Sequence, residues 1–365
     1  MSIRKIELMC FRNHHNAMFE FTSGLNILWG ENGSGKTAII EAIHLLSIGR
    51  SFRTNRRKDL LQYGQDSFKI NGTFLVDKKT DVIRLNQVSD GKRKMFVNDV
   101  PIEGLKEIVG KHPVVLLSPE EQTITKGGPQ DRRQYFDKMF SVVSPEYLEK
   151  LVTFQRVLKQ RNAALQLCRE NRAGVSEIET WEEPLAVAAA SVWKMRKSMI
   201  AGFSTCCKKA VHNYGETDAF LEVGYESKNP GAISEILNAL KNQRRKDIIN
   251  SNTETGPHRD RYSFVLNGKD IRSFASQGEH KLALVLIKLA ELYYVKERQG
   301  AAPVFLLDDL LAKLDFKRGQ KVLSLLEKTA QTIVTTTDIV QVKNRRGNLS
   351  AKEHTSIHLE KKCKV

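Results

Sequence analysis

Apolar residues recur in three rhythms along this chain, and each rhythm predicts a different kind of element. Up to about Leu117, Ile6, Leu8 and Cys10 alternate with polar neighbours, and the short runs MFEF, LNILW, FKINGTFLV, DVIRL, KMFV and VVLL follow. Alternation with a period of two, and brief apolar runs, read as strands. One helix interrupts them after Gly35, carrying Ile39, Ile40, Ile43 and Leu46 on one side. From about Pro145 to Asn213 the spacing lengthens: Leu148, Leu151, Phe154, Leu158 and Leu165 stand three or four apart, with charged residues between them, as on a helical arm. A second helix is expected after Ser176, whose spacing to Glu179 fits a capping box; within it Pro184 marks either the first turn or a kink. After about Ala219 mixed structure returns, with strands FLEVGYE, YSFVL, VFLL and TIVTTT and a helix through ISEILNALKNQRRKDII.

This order predicts an α/β head built from both ends of the chain, residues 1–140 and 251–365, with a helical lobe at about 141–250 inserted between them. At 365 residues, 41% of them hydrophobic and 27% charged, the chain has material for such a two-part body and a real core. Charge narrows the partners. Lys and Arg number 58 against 42 Asp and Glu, a formal net charge of +16, which favours polyanions by long-range attraction and counterion release. The five cysteines, Cys10, Cys168, Cys206, Cys207 and Cys363, include no CxxC pair and are expected to be reduced thiols. No apolar run approaches the ~20 residues of a membrane span, and charges interrupt the N-terminal stretch where a signal peptide would be apolar. The expected location is the cytoplasm, with no membrane partner.

Three segments carry chemistry. Residues 30 to 37 read GENGSGKT and fit GxxxxGK[ST], between an apolar strand and a helix, which is the context that motif requires. Gly30, Gly33 and Gly35 let the backbone of Gly30, Glu31, Asn32, Gly33, Ser34 and Gly35 ring the phosphates of ATP, with the positive end of the following helix facing the same anion. Lys36 is expected to reach the β- and γ-phosphates, and the Thr37 hydroxyl to bind Mg2+. The apolar run VFLL ends in Asp308 and Asp309. Asp308 is expected to hold the magnesium through water, and Asp309 to stand where a base or water-orienting group belongs. Finally, Ser276, Gln277, Gly278 and Glu279 open a helix with one apolar face. Ser276 and Glu279 have capping-box spacing, yet Gly278 in the first turn costs about 1 kcal/mol against alanine. Such a glycine makes sense where another molecule approaches the backbone. This start resembles the signature of ABC-type ATPases, which in that superfamily meets the γ-phosphate held by the glycine loop of a second subunit.

The separation of Lys36 from Asp308 is too long for a transporter cassette and too short for the coiled coils of SMC-type proteins. GENGSGKT, SIGRSFRT from Ser47, LLSPEEQTITKGGPQDRRQYFD from Leu116, TGPHRDRYSFVLNGKDIRSFASQGE from Thr255, KLAEL, FLLDD and TIVTTTD occur in the order seen in the RecF family, and the chain resembles that family over almost its whole length. The resemblance implies an ABC/SMC-like P-loop ATPase head that forms a homodimer on ATP and hydrolyses it slowly. It also implies binding to double-stranded and gapped DNA, and work with RecR and RecO in loading the recombinase RecA. Two departures stand out. Ala312, Lys313, Leu314 and Asp315 replace a Ser-Glu-Leu-Asp stretch, so Lys313 reverses a charge near the expected dimer seam. Asp338 occupies the slot where many ABC proteins carry a switch histidine, which implies slow turnover.

Basic residues cluster at Arg50, Arg53, Arg56, Arg57 and Lys58; at Lys92, Arg93 and Lys94; at Arg132 and Arg133; and at Arg244, Arg245 and Lys246. With few aromatics among them, they suggest contact with phosphate backbones rather than base stacking. Arg50 and Arg53, close behind the glycine-loop helix, serve either DNA or the nucleotide. His258 is expected to make a loop hydrogen bond. The alternative to an ATP-switched DNA-binding protein is a nucleotide-bound DNA adaptor that never hydrolyses; a metabolic P-loop kinase fits less well, since it accounts for neither SQGE nor the chain length.

Overall fold

The structure is a computed structural model, and it describes all residues except 216–219, 310–314, 347–353 and 362–365. Ala312, Lys313, Leu314 and Cys363 therefore lie outside the described residues. The chain divides into two compact units: Met1–Gln122, Lys209–Thr217 and Gln277–Val365 form the first, and Thr123–Lys208 with Asp218–Ser276 form the second. The second unit begins before residue 141 and ends after residue 250.

The first unit holds two sheets. Strands β1 (Ser2–Phe11) and β2 (His14–Glu20) join β4 (Ser67–Val76), β5 (Lys79–Val88), β6 (Arg93–Val97) and β7 (Val100–Pro101) in the order β2-β1-β4-β5-β6-β7. Neighbours run antiparallel, and the alternation of β1 and β4 turns Ile6, Leu8, Phe68 and Ile70 inward. The other sheet is parallel throughout. Here β3 (Leu25–Trp29), β8 (Val114–Leu117), β12 (Val304–Leu307), β13 (Thr332–Thr336) and β14 (His354–His358) lie in the order β14-β3-β13-β12-β8. β8 and β12 are continuous apolar runs, as strands covered on both faces are, and β8, β12 and β13 are buried at every position. Helix α1 (Lys36–Ile48) packs against both sheets, and Ile39, Ile40, Ile43 and Leu46, fully buried, join the core with Ile70 and Ile333. Buried on nearly every side, α1 shows little of the one-sided pattern of a surface helix.

The second unit contains α2 (Thr123–Lys126), α3 (Pro129–Val143), α4 (Pro145–Arg169), most of α5 (Val175–Tyr214), β9 (Leu221–Glu226), α6 (Ile233–Asn250), β10 (Arg261–Leu266), β11 (Lys269–Asp270) and α7 (Ile271–Phe274). Its antiparallel sheet has the order β11-β10-β9, and Phe136 stacks on Tyr262 with ring centroids 4.2 Å apart. The expected capping box at Ser176 does not form: α5 already begins at Val175, and the Glu179 carboxylate instead takes the Arg244 guanidinium at 2.7 Å. Pro184 sits well inside α5, not in its first turn. The remaining helices, α8 (Gln277–Gln299), α9 (Phe316–Thr329) and α10 (Ile339–Arg346), belong to the first unit. Among the described residues no helix is long and apolar enough to cross a membrane.

Candidate functional site

The carboxyl ends of parallel strands are where open α/β sheets gather ligands, and the chemistry collects there. The glycine loop leaves β3, and Asp308 leaves β12, two strands away. Gly30, Gly33 and Gly35 all have positive φ (149°, 84° and 101°), a conformation L side chains rarely adopt. At Gly30 a Cβ would sit 2.2 Å from the Leu359 carbonyl oxygen, and at Gly35 2.4 Å from His14 Nε2, so both positions need glycine for space as well. Asn13 Nδ2 donates to the Gly33 carbonyl at 3.1 Å, which fixes the loop from β1's side.

Lys36 is buried, and its ammonium donates to the carbonyls of Gly30 and Glu31, each at 2.7 Å. Burial lowers its pKa from the usual lysine value, while Asp309 and Asp308 act to raise it. The Thr37 hydroxyl donates to Asp308 Oδ1 at 3.0 Å, and the Thr335 hydroxyl on β13 donates to the same oxygen at 2.6 Å. The strand order accounts for this: β13 lies between β3 and β12, so its Thr335 reaches the acid that ends β12. Burial raises the Asp308 pKa above the ordinary value of 3.8, the two threonine bonds oppose this, and Glu120 and Asp309 add to it. Asp309 has φ +46°, tolerable for aspartate, and its N–H donates to Thr335 Oγ1 at 2.9 Å.

These groups open on a cavity of about 470 Å³, lined by Asn32, Gly33, Gly35, Lys36, Thr37 and Asp309 and also by Arg12, Asn13, Arg53, Asp59 and Thr335. The cavity suits a polyphosphate. Helix α1 ends on it with its uncapped N-terminus, and Ser34 Oγ is buried without a hydrogen-bond partner among the described residues. Its donor set, a threonine hydroxyl beside a carboxylate, suits magnesium. Arg12, Asn13, Asp59 and Thr335 were not legible as site residues. Arg53, whose role the sequence leaves open, lines the cavity.

Ser276, Gln277, Gly278 and Glu279 are exposed at the start of α8, and Gln277, Gly278 and Glu279 do not line this cavity. The Asp338 carboxylate accepts from Val340 N–H at 2.8 Å at the head of α10. Three residues of the basic clusters are drawn into the fold. Arg132 is buried and donates to the carbonyls of Ile124, Thr125 and Tyr262, and Arg133 donates to the Asp260 carbonyl. Arg244 is taken up by Glu179 and Glu182. These hydrogen bonds draw Arg132, Arg133 and Arg244 into the second unit, while Arg245 and Lys246 stay exposed. Arg93 is likewise drawn in, bonded to the Gly49 carbonyl and Gln87, with its pKa lowered to about 10 by burial and the neighbouring Arg57. His258 makes a loop hydrogen bond, as expected: its Nε2 donates to the Thr253 carbonyl at 2.8 Å, and burial lowers its pKa to about 4.

A glycine loop between β3 and α1, an acid at the end of β12 and an all-parallel sheet joined to an antiparallel one define a P-loop ATPase head of the ABC type. The RecF/RecN/SMC N terminal domain profile matches residues 2–358. The DNA replication and repair protein RecF of Chloroherpeton thalassium is 30% identical over 97% of this chain and 98% of its own, and that of Oceanobacillus iheyensis is 34% identical over 93% and 94%. The chain belongs to the RecF family. The solved structure of the recombination mediator protein RecF-ATP in the RecFOR pathway superposes with a TM-score of 0.86 at 30% identity, covering 93% of both chains. The Smc head domain of Pyrococcus furiosus, at 18% identity, has a TM-score of 0.52 over 93% of this chain and 90% of its own, which speaks to the fold alone.

Proposed function

We propose that this chain is an ATP-switched DNA-binding protein of recombinational repair and replication restart. In this reading it binds duplex DNA near single-strand gaps, forms a homodimer on ATP, helps to load a recombinase together with RecR and RecO, works in the cytoplasm, and hydrolyses ATP weakly under stimulation by DNA. The observation that carries the reading is that Lys36, Thr37, Asp309 and Thr335 line one cavity, while the buried Asp308 accepts from both Thr37 and Thr335. The names of its relatives, which pair DNA repair with ATP, agree with it.

Gly30 to Gly35 offer their N–H groups, Lys36 its charge, and Thr37 with Asp308 a place for Mg2+. When bound, the metal neutralises charge on the phosphates. Asp309, at the cavity wall, is placed to orient water. Ser276, Gln277, Gly278 and Glu279, exposed at the start of α8, would be lent to the glycine loop of a second copy.

Sedimentation with ATP, with ADP, and with ATP plus gapped duplex DNA tests this. Self-association is expected with the triphosphate only, and Ser276→Arg, which puts a cation and a long side chain where close approach is needed, should remove it. An unchanged mass in all conditions rejects the switch. If the dimer forms but no phosphate release depends on Lys36, the chain is the non-hydrolysing adaptor.

A pH dependence follows from Asp308. The ionised carboxylate is the form that favours a cation, and its raised pKa means that protonation competes at higher pH than for an ordinary aspartate. The half-saturating Mg2+ concentration is expected to climb as pH falls from neutrality toward the raised pKa, after correction for the titration of ATP itself. In Asp308→Asn that part of the dependence should vanish; an identical pH profile in the two proteins would remove Asp308 from the metal site.

A further inference from the structure

Glu41 lies one turn beyond Thr37 on α1 and is fully buried. A carboxylate without solvent must be paired, and every partner of this one leads to the cavity or to the basic stretch beside it. Arg12 grips it with two bonds, Nε to Oε2 at 2.8 Å and Nη2 to Oε1 at 2.6 Å. The Ser51 hydroxyl donates to Oε1 at 2.5 Å, and Arg53 Nη1 stands 3.8 Å from Oε2. Arg12 and Arg53 both line the cavity with Lys36 and Thr37.

The same contacts fold the segment from Ser51 to Asp59. Ser51 Oγ accepts the N–H groups of Arg53 and Thr54 at 2.9 and 3.1 Å, the Thr54 hydroxyl donates to Asp59 Oδ2 at 2.6 Å, and Arg12 Nη1 donates to the Asp59 carbonyl at 2.6 Å. The segment is thus tied to Glu41 at both ends, and it carries Arg53, Arg56, Arg57 and Lys58 on its exposed side. It is also tied to the β5–β6 turn, since Arg57 Nη1 donates to the Gly91 carbonyl at 2.8 Å and Gln87 Nε2 to the Arg57 carbonyl at 2.8 Å. Exposed Lys92 and Lys94, distant in sequence, so come beside that stretch.

We propose that Glu41 is a positioning residue that couples the nucleotide cavity to this basic surface, so that triphosphate binding and duplex DNA binding strengthen one another. The proposal rests on the ATP-switched reading above. A phosphate in the cavity attracts the two guanidiniums that Glu41 also holds. Fixing them fixes Ser51 to Asp59, and with that segment the spacing of the cations that meet DNA phosphates. The linkage is reciprocal by necessity: DNA tightens nucleotide by the factor by which nucleotide tightens DNA.

The test compares fluorescent-duplex affinity at one salt concentration, with and without a non-hydrolysable ATP analogue, in the full-length protein. The unsubstituted chain is expected to show a ratio on the order of 5- to 150-fold, the usual span of such couplings. Glu41→Gln keeps the volume but turns an amide toward the guanidinium, and should bring the ratio below about twofold while each ligand still binds alone. Arg12→Lys, which cannot form the fork, should also bring the ratio below about twofold, with some loss of nucleotide affinity because Arg12 lines the cavity, and the double variant should couple no worse than either. A purely structural role would lower the melting temperature and leave the ratio unchanged. A ratio near one in the unsubstituted protein refutes the switch itself; full coupling there and in Glu41→Gln refutes only the role of Glu41. Should Glu41→Gln fail to fold, undiminished coupling in Arg12→Lys overturns the proposal.

Discussion

Replacing Lys36 with methionine is expected to lower ATP-dependent phosphate release at least ~100-fold, the usual scale for removing one preorganised donor from a phosphoryl-transfer site. Two losses combine in Lys36→Met. The charge that faces the phosphates disappears, and the carbonyls of Gly30 and Glu31, each 2.7 Å from the ammonium, lose their shared donor. Both carbonyls belong to the loop that must bend around the nucleotide, so binding as well as turnover suffers. Methionine matches the length of the buried stem, and the melting temperature should hold to within a few degrees. Phosphate release measured with and without DNA gives the result, and a variant retaining a tenth of the activity would move the chemistry away from Lys36.

The largest expected effect on stability lies in the second unit, at Asp260. This aspartate is fully buried and accepts from four groups: Trp193 Nε1 at 2.9 Å, Arg196 Nη1 at 2.8 Å, the Tyr225 hydroxyl at 2.7 Å and the Lys228 N–H at 3.3 Å. Arg196 is itself buried and shares its charge with Asp137 at 2.8 Å. Asp260→Asn keeps the shape but removes one of the two charges that compensate Arg196, and it turns an NH2 group toward donors. Breaking a buried pair in this way costs about 3–5 kcal/mol, which for a body of this size is a fall of roughly 10 °C in melting temperature. Tryptophan fluorescence is a suitable probe because Trp193 is one of the partners. A shift under about 2 °C would mean that the network relaxes around the change.

The sequence made legible what is local. GENGSGKT is read because a phosphate loop needs its glycines, lysine and threonine in one contiguous stretch between a strand and a helix. Asp308 is read because an acid ending an apolar strand is itself a short pattern. What stayed hidden depends on the order of strands. TIVTTT is recognisable as a strand, yet Thr335 becomes a partner of Asp308 only because β13 is placed between β3 and β12. Arg12 and Glu41 are 29 positions apart and meet only because α1 packs against the sheet that contains β1. The basic clusters mislead for a related reason. Arg132, Arg133 and Arg244 have the look of solvated charge, whereas their hydrogen bonds are used inside the second unit, and nothing in a run of cations announces which of them a fold will consume.

The strand order of the parallel sheet also bears on how the chain is made. Of the five strands, β3 and β8 leave the ribosome first, but they are not neighbours in the sheet: β3 lies between β13 and β14, and among the described residues β8 pairs with β12. Both wait for residues after Gly300, while the apolar helix α1 lacks part of its cover. Such late, long-range closure is slow and leaves sticky intermediates, so the nascent protein should depend on holding chaperones during synthesis, and its phosphate pocket cannot exist until translation is nearly done.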